Sequence, residues 1–223
     1  MPLTWVLFDL NGTLVDPLVL AQPLGDSSAD EEIVQAAFDD AIAQAMVATV
    51  IGAETRFDEM VGAAMRRRLR LAGRDEDLAR AALELMGTMP AYLDAPAALE
   101  TLRGEGLRLG VLTQSAVDAA ETVLRFAGLR DRLELVLSAR DSGAFKPDPR
   151  AYRMALDRVG ANADEVCLVS THWWDVAGAK RVGLRTGWVA RRELALLDTV
   201  PPPDVTGRDL AEVADAIVAR LAS

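Results

Sequence analysis

The segment WVLFDLNGTLVDP, residues 5–17, decides the fold of this chain. The apolar residues ahead of Asp9 predict a short buried strand over residues 5–10, and the Gly12-Thr13 pair predicts a tight turn directly after it. The carboxylate of Asp9 is thereby expected at the end of a strand, in the mouth of a turn. Such a carboxylate either binds or attacks a ligand, or it caps the turn, and this segment alone leaves both interpretations open.

Composition restricts the classes of protein to which the chain can belong. With 223 residues, of which 51% are apolar, it is long enough to bury a full core. Its net charge of −10 argues against nucleic acid or an anionic membrane as the main partner, so a small-molecule substrate is expected. The sequence shows no run of about 18 apolar residues and no signal-peptide pattern, which predicts no membrane span and a cytoplasmic location.

Short apolar runs alternate with helical patterns along the rest of the chain. The further predicted strands are residues 108–112, 133–137, 166–170 and 185–189. Helical patterns lie between them, for example at residues 118–126 and 149–159. The single cysteine, Cys167, excludes an internal disulfide and falls in an apolar run typical of a buried strand. The alternation predicts an α/β fold with a doubly wound parallel sheet, covered by helices on both faces.

Residues 18–92 interrupt this alternation. They show helical patterns throughout, beginning at Ser28, which Glu31 and Glu32 follow as in a capped helix start. Connections rich in glycine and proline flank the stretch. We therefore predict a core domain of residues 1–17 and 93–223, with an inserted helical cap over residues 18–92. A proline run at residues 200–203 predicts a stiff connector before a C-terminal helix.

Four polar side chains from distant parts of the chain follow predicted strands or lie in the loops behind them. They are Asp9, Thr113, Lys146 and Asp175. Because ligands bind at the carboxyl ends of the strands in open parallel sheets, we expect these side chains to converge. Taken alone, Thr113 is a turn former, Lys146 a solvated loop residue and Asp175 an acid that complements a helix dipole. Their joint occurrence in this order favours an active site.

The motifs DLNGT, GVLTQS, GAFKPDPRAY and VSTHWWDVAGAKRVGLRTGWVAR resemble those of the haloacid dehalogenase superfamily. Its members carry a nucleophilic Asp in a DxxGT loop, then a Ser or Thr, a Lys and an acidic loop, on a Rossmann-like core with an inserted cap. The last two motifs are most similar to the type II 2-haloacid dehalogenases, including Tyr152, Ser170, Trp174 and Asp175. The resemblance covers essentially the whole chain and implies a hydrolase, with a homodimer as a possible assembly.

Two places separate this chain from the phosphatases of that superfamily, which carry an acid at position 11 and a Gly-Asp pair at 170 and 171. This chain has Asn11, Ser170 and Thr171 there. Asn11 cannot protonate a leaving alcohol and then activate water, as such a phosphatase requires. Without an acid in place of Thr171, Asp9 and Asp175 form a poor site for Mg²⁺. Displacement of halide from carbon by a carboxylate needs neither feature, so we predict a reaction without metal or cofactor.

The predicted reaction is hydrolysis of a small 2-haloalkanoic acid to a 2-hydroxy acid, through an ester formed on Asp9. Lys146 is expected to keep Asp9 ionised, and Asp175 either orients Lys146 or activates the water that opens the ester. Thr13 and Ser170 are expected to hold Asp9, Lys146 or that water. The predicted catalytic residues are Asp9, Lys146, Asp175, Thr13, Ser170 and His172.

His172, the single histidine, has two interpretations. It stands where the dehalogenases usually carry Asn, and a neutral imidazole can act as the base that activates water. Otherwise it is a surface or packing residue. The residues expected to bind the substrate or support its site are Asn11, Thr113, Gln114 and Tyr152. Among them, Thr113, Gln114 and nearby backbone amides are expected to receive the substrate carboxylate, whereas Tyr152 is alternatively a core aromatic.

One part of the expected site has no assigned residue. The dehalogenases carry an Arg early in the cap that helps to bind the halide, and this chain has Asp39 or Asp40 near that position. Candidate substitutes are Arg56 and the run Arg66, Arg67, Arg68 and Arg70. A basic run of this kind is more typical of a solvated helix face. Two other functions stay open: a Mg²⁺-dependent phosphatase acting on a small phosphate ester, and a related protein that has changed or lost the reaction.

Overall fold

The computed structural model describes residues 2–221, and its centre is a six-stranded sheet. The strands are β1 Trp5–Phe8, β2 Arg108–Thr113, β3 Leu135–Ser138, β4 Val166–Ser170, β5 Arg185–Val189 and β6 Val205–Gly207. Their order is β3-β2-β1-β4-β5-β6, and all neighbouring strands run parallel. The strand order reverses between β1 and β4, which confirms the predicted doubly wound α/β fold and places a ligand crevice there.

Helices connect the strands. The α-helices are α1 Ser28–Ile51, α2 Phe57–Leu71, α3 Leu78–Glu84, α4 Ala95–Gly104, α5 Val117–Phe126, α6 Pro149–Val159, α7 Trp173–Val182 and α8 Leu210–Arg220. Short 3₁₀ helices at Pro17–Leu24 and Leu85–Thr88 flank the three helices α1 to α3 of the insertion, and α4 follows them before β2. β1 is buried along its whole length, as a strand covered by helices on both faces must be.

Most boundaries agree with the sequence predictions, and the differences have local causes. β1 ends at Phe8 rather than at residue 10, because the carbonyl of Leu10 already accepts N–H groups of the following turn. β3 begins at Leu135 because a 3₁₀ turn precedes it. The cap of α1 is Ser27 rather than Ser28: its hydroxyl accepts the N–H of Asp30 in a capping box. β6 is absent from the predictions because three residues are too few to show a period.

The helical insertion, residues 18–92, is attached to the sheet by two segments that lie side by side. Val15 pairs with Ala91 in an antiparallel bridge, and the N–H of Tyr92 donates to the carbonyl of Leu14 at 3.0 Å. Inside the insertion, buried alanines of α1 let α2 pack closely against it. The bridge lies at the predicted boundaries near residues 17 and 92, and the division into two domains stays a prediction.

One helix in the described part of the chain, α1, is long and apolar enough to cross a membrane by length and composition alone. Its most apolar 18-residue window has a mean hydropathy of 1.2 and is 33% buried in the structure. Core helices of soluble proteins pass the same test, so this helix is weak evidence against the expectation of no membrane span.

Close packing of two helices against the sheet brings distant polar groups together. A Cβ atom added at Gly178 in α7 would lie 2.5 Å from the hydroxyl of Tyr152 in α6. Glycine is therefore the residue that lets α6 and α7 approach each other, and this approach delivers Tyr152 to the carboxylate of Asp175. Cys167 in β4 is a free, fully buried thiol, as its apolar context predicts.

Candidate active site

Three neighbouring strands of the parallel sheet end at the same edge. Asp9 follows β1, Thr113 ends β2 and Ser170 ends β4. Lys146 comes from the loop before α6, and Asp175 lies in the first turn of α7. All five side chains are buried at this edge, beside the reversal of strand order. The four residues expected to converge therefore lie in the place where such sheets bind ligands.

The Lys146 ammonium is the centre of a buried charge network. Its Nζ donates to Asp9 Oδ1 at 2.8 Å, to Asp175 Oδ2 at 2.7 Å and to the carbonyl of Leu112 at 2.9 Å. These contacts use all three N–H groups of the ammonium, and the side chain is wholly inaccessible to solvent. Burial alone lowers the pKa of Lys146, but Asp175 and Asp9 outweigh it and raise the pKa above its ordinary value. Lys146 therefore stays a cation beside Asp9.

Asp175 is fully occupied by partners within the protein. Its Oδ2 accepts from Lys146, and its Oδ1 accepts the phenolic O–H of Tyr152 at 2.7 Å. Burial raises the pKa of Asp175, while the ammonium of Lys146 opposes that rise. Burial and the neighbouring carboxylate also raise the pKa of Tyr152 well above its usual value, so the phenol keeps its proton and donates. Of the two roles left open for Asp175, this geometry supports orientation of Lys146.

The second oxygen of Asp9 has a neutral donor. Oδ2 accepts from the hydroxyl of Thr13 at 3.1 Å, and that hydroxyl accepts the N–H of Thr171 at the same distance. Gly12, with φ of +83°, makes the turn that folds Thr13 back toward Asp9. Asp9 is thus held through both oxygens, yet it still lines the cavity described below. The two oxygens differ, since one faces an ammonium and the other a hydroxyl.

His172 lies beside Asp9, with its Nε2 atom toward the site. Its Nε2 is 3.1 Å from the backbone carbonyl of Asn11 and 3.6 Å from Asp9 Oδ2. Because a carbonyl oxygen only accepts hydrogen bonds, a neutral His172 carries its proton on Nε2. The ring stacks on Trp174 with centroids 5.0 Å apart, which fixes its plane. The nitrogen nearest Asp9 is therefore a donor, and it does not support the interpretation of His172 as the base.

Two of the predicted residues act on the backbone of other site residues. The side chain of Gln114 donates to the carbonyl of Lys146 at 2.8 Å and accepts its N–H at 2.9 Å. The hydroxyl of Ser170 accepts the N–H of His172 at 3.1 Å, so it contacts neither Asp9 nor Lys146 by hydrogen bond. These contacts position Lys146 and His172. Binding of the substrate carboxylate by Gln114 stays a prediction, carried by its remaining N–H.

Asn11 and Thr113 face the space in front of Asp9. The Oδ1 atom of Asn11 is buried without a hydrogen-bond partner, and its Nδ2 donates weakly to Ser115 at 3.5 Å. The hydroxyl of Thr113 accepts the N–H of Ser115 at 3.2 Å. An unpaired buried amide oxygen is rare in folded proteins, because its desolvation is not compensated. Asn11 is therefore suited to contact a ligand or water in this space.

A cavity opens in front of these groups, between the sheet edge and the helical insertion. The non-atom space of the cavity and its open mouth together is about 470 Å³, a figure that includes open solvent. Its polar lining residues are Asp9, Asn11, Thr113, Gln114, His172, Asp39 and Arg192. Its apolar walls are formed mainly by Pro17, Phe38, Ile42, Phe57 and Trp174. Apolar walls with a few convergent polar groups are typical of a small-molecule site.

The cationic residue of this cavity is absent from the sequence predictions. The predicted substitutes lie elsewhere in ion pairs: Arg67 and Arg68 with Asp40, Arg70 with Glu76, and Arg56 with Asp58. Arg66 likewise does not line the cavity. Asp39 does line it, and its partner at 3.5 Å is Arg192 in the loop after β5. Arg192 lies three residues beyond the predicted strand 185–189, and the sequence does not show that this loop reaches the cavity.

The donor set does not fit Mg²⁺. Within residues 2–221, no group of three or more His, Cys, Asp and Glu side chains is arranged to hold a metal ion. The oxygens of Asp175 are taken by Lys146 and Tyr152, and the hydroxyl of Thr171 donates to the carbonyl of Val189. Mg²⁺ needs charged oxygen ligands with free lone pairs at a small octahedral site. The lysine ammonium supplies the positive charge between the two carboxylates instead.

Comparison with known proteins agrees with this geometry. The chain matches the family model of the haloacid dehalogenase-like hydrolases over residues 3–183. It is 38% identical over 104 residues to (S)-2-haloacid dehalogenase 4A of Burkholderia cepacia, which covers 47% of this chain and 45% of that enzyme. It is also 38% identical to the phosphoserine phosphatase of Thermus thermophilus over 141 residues, and this aligned region is 63% of this chain and 56% of that enzyme. The aligned regions thus span about half the length of these two relatives.

A solved structure described as a dehalogenase superimposes with a TM-score of 0.89 at 27% identity, covering 96% of both chains. Together with the family match, which spans most of the chain, this likeness confirms the resemblance drawn from the motifs. The chain belongs to the haloacid dehalogenase-like hydrolases.

Proposed function

We propose that this protein is a 2-haloacid dehalogenase, which hydrolyses a small 2-haloalkanoic acid to a 2-hydroxy acid. The observation that carries the proposal is the buried ammonium of Lys146 between Asp9 and Asp175, with the neutral Asn11 beside the nucleophile. This arrangement places a cation against the nucleophilic carboxylate with protein groups alone. It also lacks the acid that a phosphatase of this family uses at position 11.

The first step is displacement at carbon. Oδ2 of Asp9, held by the neutral hydroxyl of Thr13, attacks C2 of the substrate, the new C–O bond forms, and the C–halogen bond breaks with its electron pair on the halide. Oδ1, held by Lys146, becomes the carbonyl oxygen of the resulting ester. A hydroxyl donor weakens a nucleophilic oxygen less than an ammonium does, which supports this assignment of the two oxygens.

The second step is hydrolysis of the ester. Water attacks the carbonyl carbon of Asp9, and negative charge develops on Oδ1. Collapse of this intermediate breaks the bond between Oδ2 and C2 of the substrate. One proton of the water goes to the departing alkoxide, which becomes the 2-hydroxy acid, and the other is released to solvent as the carboxylate of Asp9 is restored. The ammonium of Lys146, already 2.8 Å from Oδ1, stabilises that charge without moving. Asp175, Tyr152 and Gln114 serve this step by fixing Lys146 from both its side chain and its backbone.

A phosphatase acting on a small phosphate ester is the second candidate, favoured by the similarity to the phosphoserine phosphatase of Thermus thermophilus. Asn11 and the occupied oxygens of Asp175 disfavour it. A protein that keeps the fold and binds a carboxylic acid without turnover is a third. A cytoplasmic location and a homodimer remain proposals, as does the absence of a nucleic-acid or membrane partner, which rests on the charge of −10.

The test is release of free halide from the two enantiomers of 2-chloropropionate, with a metal chelator present and Asp9→Asn run beside the wild type. We expect chloride release by the wild type alone, unaffected by the chelator. Phosphate release from phosphoserine that requires added Mg²⁺, with no chloride from either enantiomer, would instead establish the phosphatase. Binding of the acid with neither activity would establish the third candidate.

A further inference from the structure

The cavity in front of Asp9 has an unusual balance of charge for an anionic substrate. Among the described residues that line it, Arg192 is the only lysine or arginine, since Lys146 lies behind Asp9 and spends all its N–H groups there. Two carboxylates, Asp9 and Asp39, line the same space. An incoming carboxylate is repelled by both unless a cation receives it.

The position of Arg192 is fixed by its two chain neighbours. Arg191 forms an ion pair with Asp94 at 2.6 Å, and its guanidinium stacks over the ring of Tyr92 at 3.8 Å. On the other side, the carboxylate of Glu193 accepts the N–H of Trp173 at 3.0 Å. These contacts anchor the loop after β5 on both sides of Arg192. The side chain of Arg192 is presented to the cavity mouth from an anchored segment.

The present partner of Arg192 is held loosely. The Arg192–Asp39 pair is 3.5 Å long, whereas the nearby Arg191–Asp94 pair measures 2.6 Å. The two side chains are 39% and 66% exposed, so the pair contributes little stability. Burial lowers the pKa of Arg192 despite the neighbouring carboxylates, which means that its charge is incompletely compensated. An anion that enters the cavity can therefore replace Asp39.

We propose that Arg192 binds the carboxylate of the substrate and that Asp39 is its displaceable counter-ion in the free enzyme. That this substrate is a halogenated acid rests on the proposed function. Asp39 lies on α1 of the helical insertion and Arg192 in the loop after β5, so substrate binding breaks one contact between these two parts. A neutral analogue lacks the charge to displace Asp39. The pair thereby selects for acids over their amides.

Kinetics with an acid and its amide test this selection. We expect Arg192→Met to raise KM for 2-chloropropionate roughly 10- to 100-fold, the effect of losing a charge-assisted contact, with little change for 2-chloropropionamide. Asp39→Asn is expected to lower KM for the acid, because Arg192 is then free. Arg66→Met, an exposed arginine on α2, is the matched control and leaves both values unchanged. KM shifts of the same sign in the Arg192 and Asp39 variants would overturn the proposal. A loss of kcat in Arg192→Met with both the acid and the amide would also overturn it, because it would indicate that Arg192 binds the halide.

Equilibrium binding separates this inference from the proposed function. Calorimetric titration with racemic lactate, a carboxylate without halogen, requires no turnover. We expect binding to the wild type, at least about tenfold weaker binding to Arg192→Met and tighter binding to Asp39→Asn. This pattern without chloride release would contradict the dehalogenase and leave the carboxylate site standing. No lactate binding to the wild type, or equal binding to Arg192→Met, would refute the site.

Discussion

Replacement of Lys146 by methionine tests whether its ammonium holds the site together. Methionine fills a similar volume but removes the donor to Asp9, Asp175 and the carbonyl of Leu112. Because the side chain is wholly buried, two carboxylates are left without their cation, and removal of one partner from such a buried group typically destabilises by about 3–5 kcal/mol. Since small domains are stable by roughly 5–15 kcal/mol, the variant is expected to fold but to unfold at much lower urea.

The effect of Lys146→Met depends on pH, and its sign follows from Asp175. Burial already raises the pKa of Asp175, and loss of the ammonium raises it further. A carboxyl whose pKa is raised in the folded state binds its proton more tightly there than in the unfolded state. The contribution of Asp175 to the free energy of unfolding therefore stabilises the folded state at low pH. It is lost as the pH rises from about 4 through the folded-state pKa of Asp175. The stability difference between wild type and variant should widen from pH 5 to pH 8.

Urea unfolding at both pH values measures this difference. Lys180→Met is the matched control, because Lys180 pairs with Asp204 at 3.0 Å but is 25% exposed, and Asp204 keeps its bonds to Thr186. About 1 kcal/mol, with little dependence on pH, is expected for that control. A difference for Lys146→Met that is no larger than the control, or that narrows toward pH 8, would refute the charge network as described.

Three further substitutions address the groups around Lys146. Tyr152→Phe removes the donor to Asp175 and should lower the free energy of unfolding by about 1.5–3 kcal/mol, together with kcat, while KM changes little; unchanged thermal unfolding would contradict this contact. We expect His172→Asn to keep chloride release within about tenfold of the wild type, because His172 is not the base in this account. Loss of a general base would instead reduce the rate by about 10²–10⁴. Accumulation of a stable Asp9 ester, detected by mass spectrometry, would show that His172 is the base after all. A Gly→Ala change inside a helix usually stabilises a protein by roughly 0.5–1 kcal/mol. Gly178→Ala should instead destabilise this protein, since the added Cβ meets the Tyr152 hydroxyl at 2.5 Å. A raised melting temperature would show that α6 and α7 can separate without loss of stability.

Much of the sheet was predictable because its signals are local. β4 is an apolar run up to Ser170, β5 carries the strand-forming residues Thr186, Trp188 and Val189, and both strands have the predicted bounds. The helix Pro149–Val159 is equally well marked, since Asp148 caps it, Pro149 opens it and Gly160 ends it. β6 carries no such signal: only pairing with β5 makes Val205–Gly207 a strand.

The candidate site divides in the same way. The placement of Asp9, Thr113, Lys146 and Asp175 follows from parallel strands that end at one edge, so their convergence was predictable. The pairing of Gln114 with the backbone of Lys146 joins residues 32 positions apart and has no local pattern. Arg192 was missed for a similar reason: the sequence of the loop after β5 does not show that it reaches the helical insertion.

The most direct test of the central claim follows one oxygen atom through a single turnover. Excess enzyme is mixed with 2-chloropropionate in water enriched in ¹⁸O. Mass spectrometry then measures the mass of the product and of the peptide that contains Asp9. If Asp9 is the nucleophile, its own oxygen leaves with the first 2-hydroxypropionate, so the product is unlabelled and Asp9 carries the ¹⁸O. Label in the product with none in Asp9 would mean that water attacks the substrate directly, and it would contradict the account.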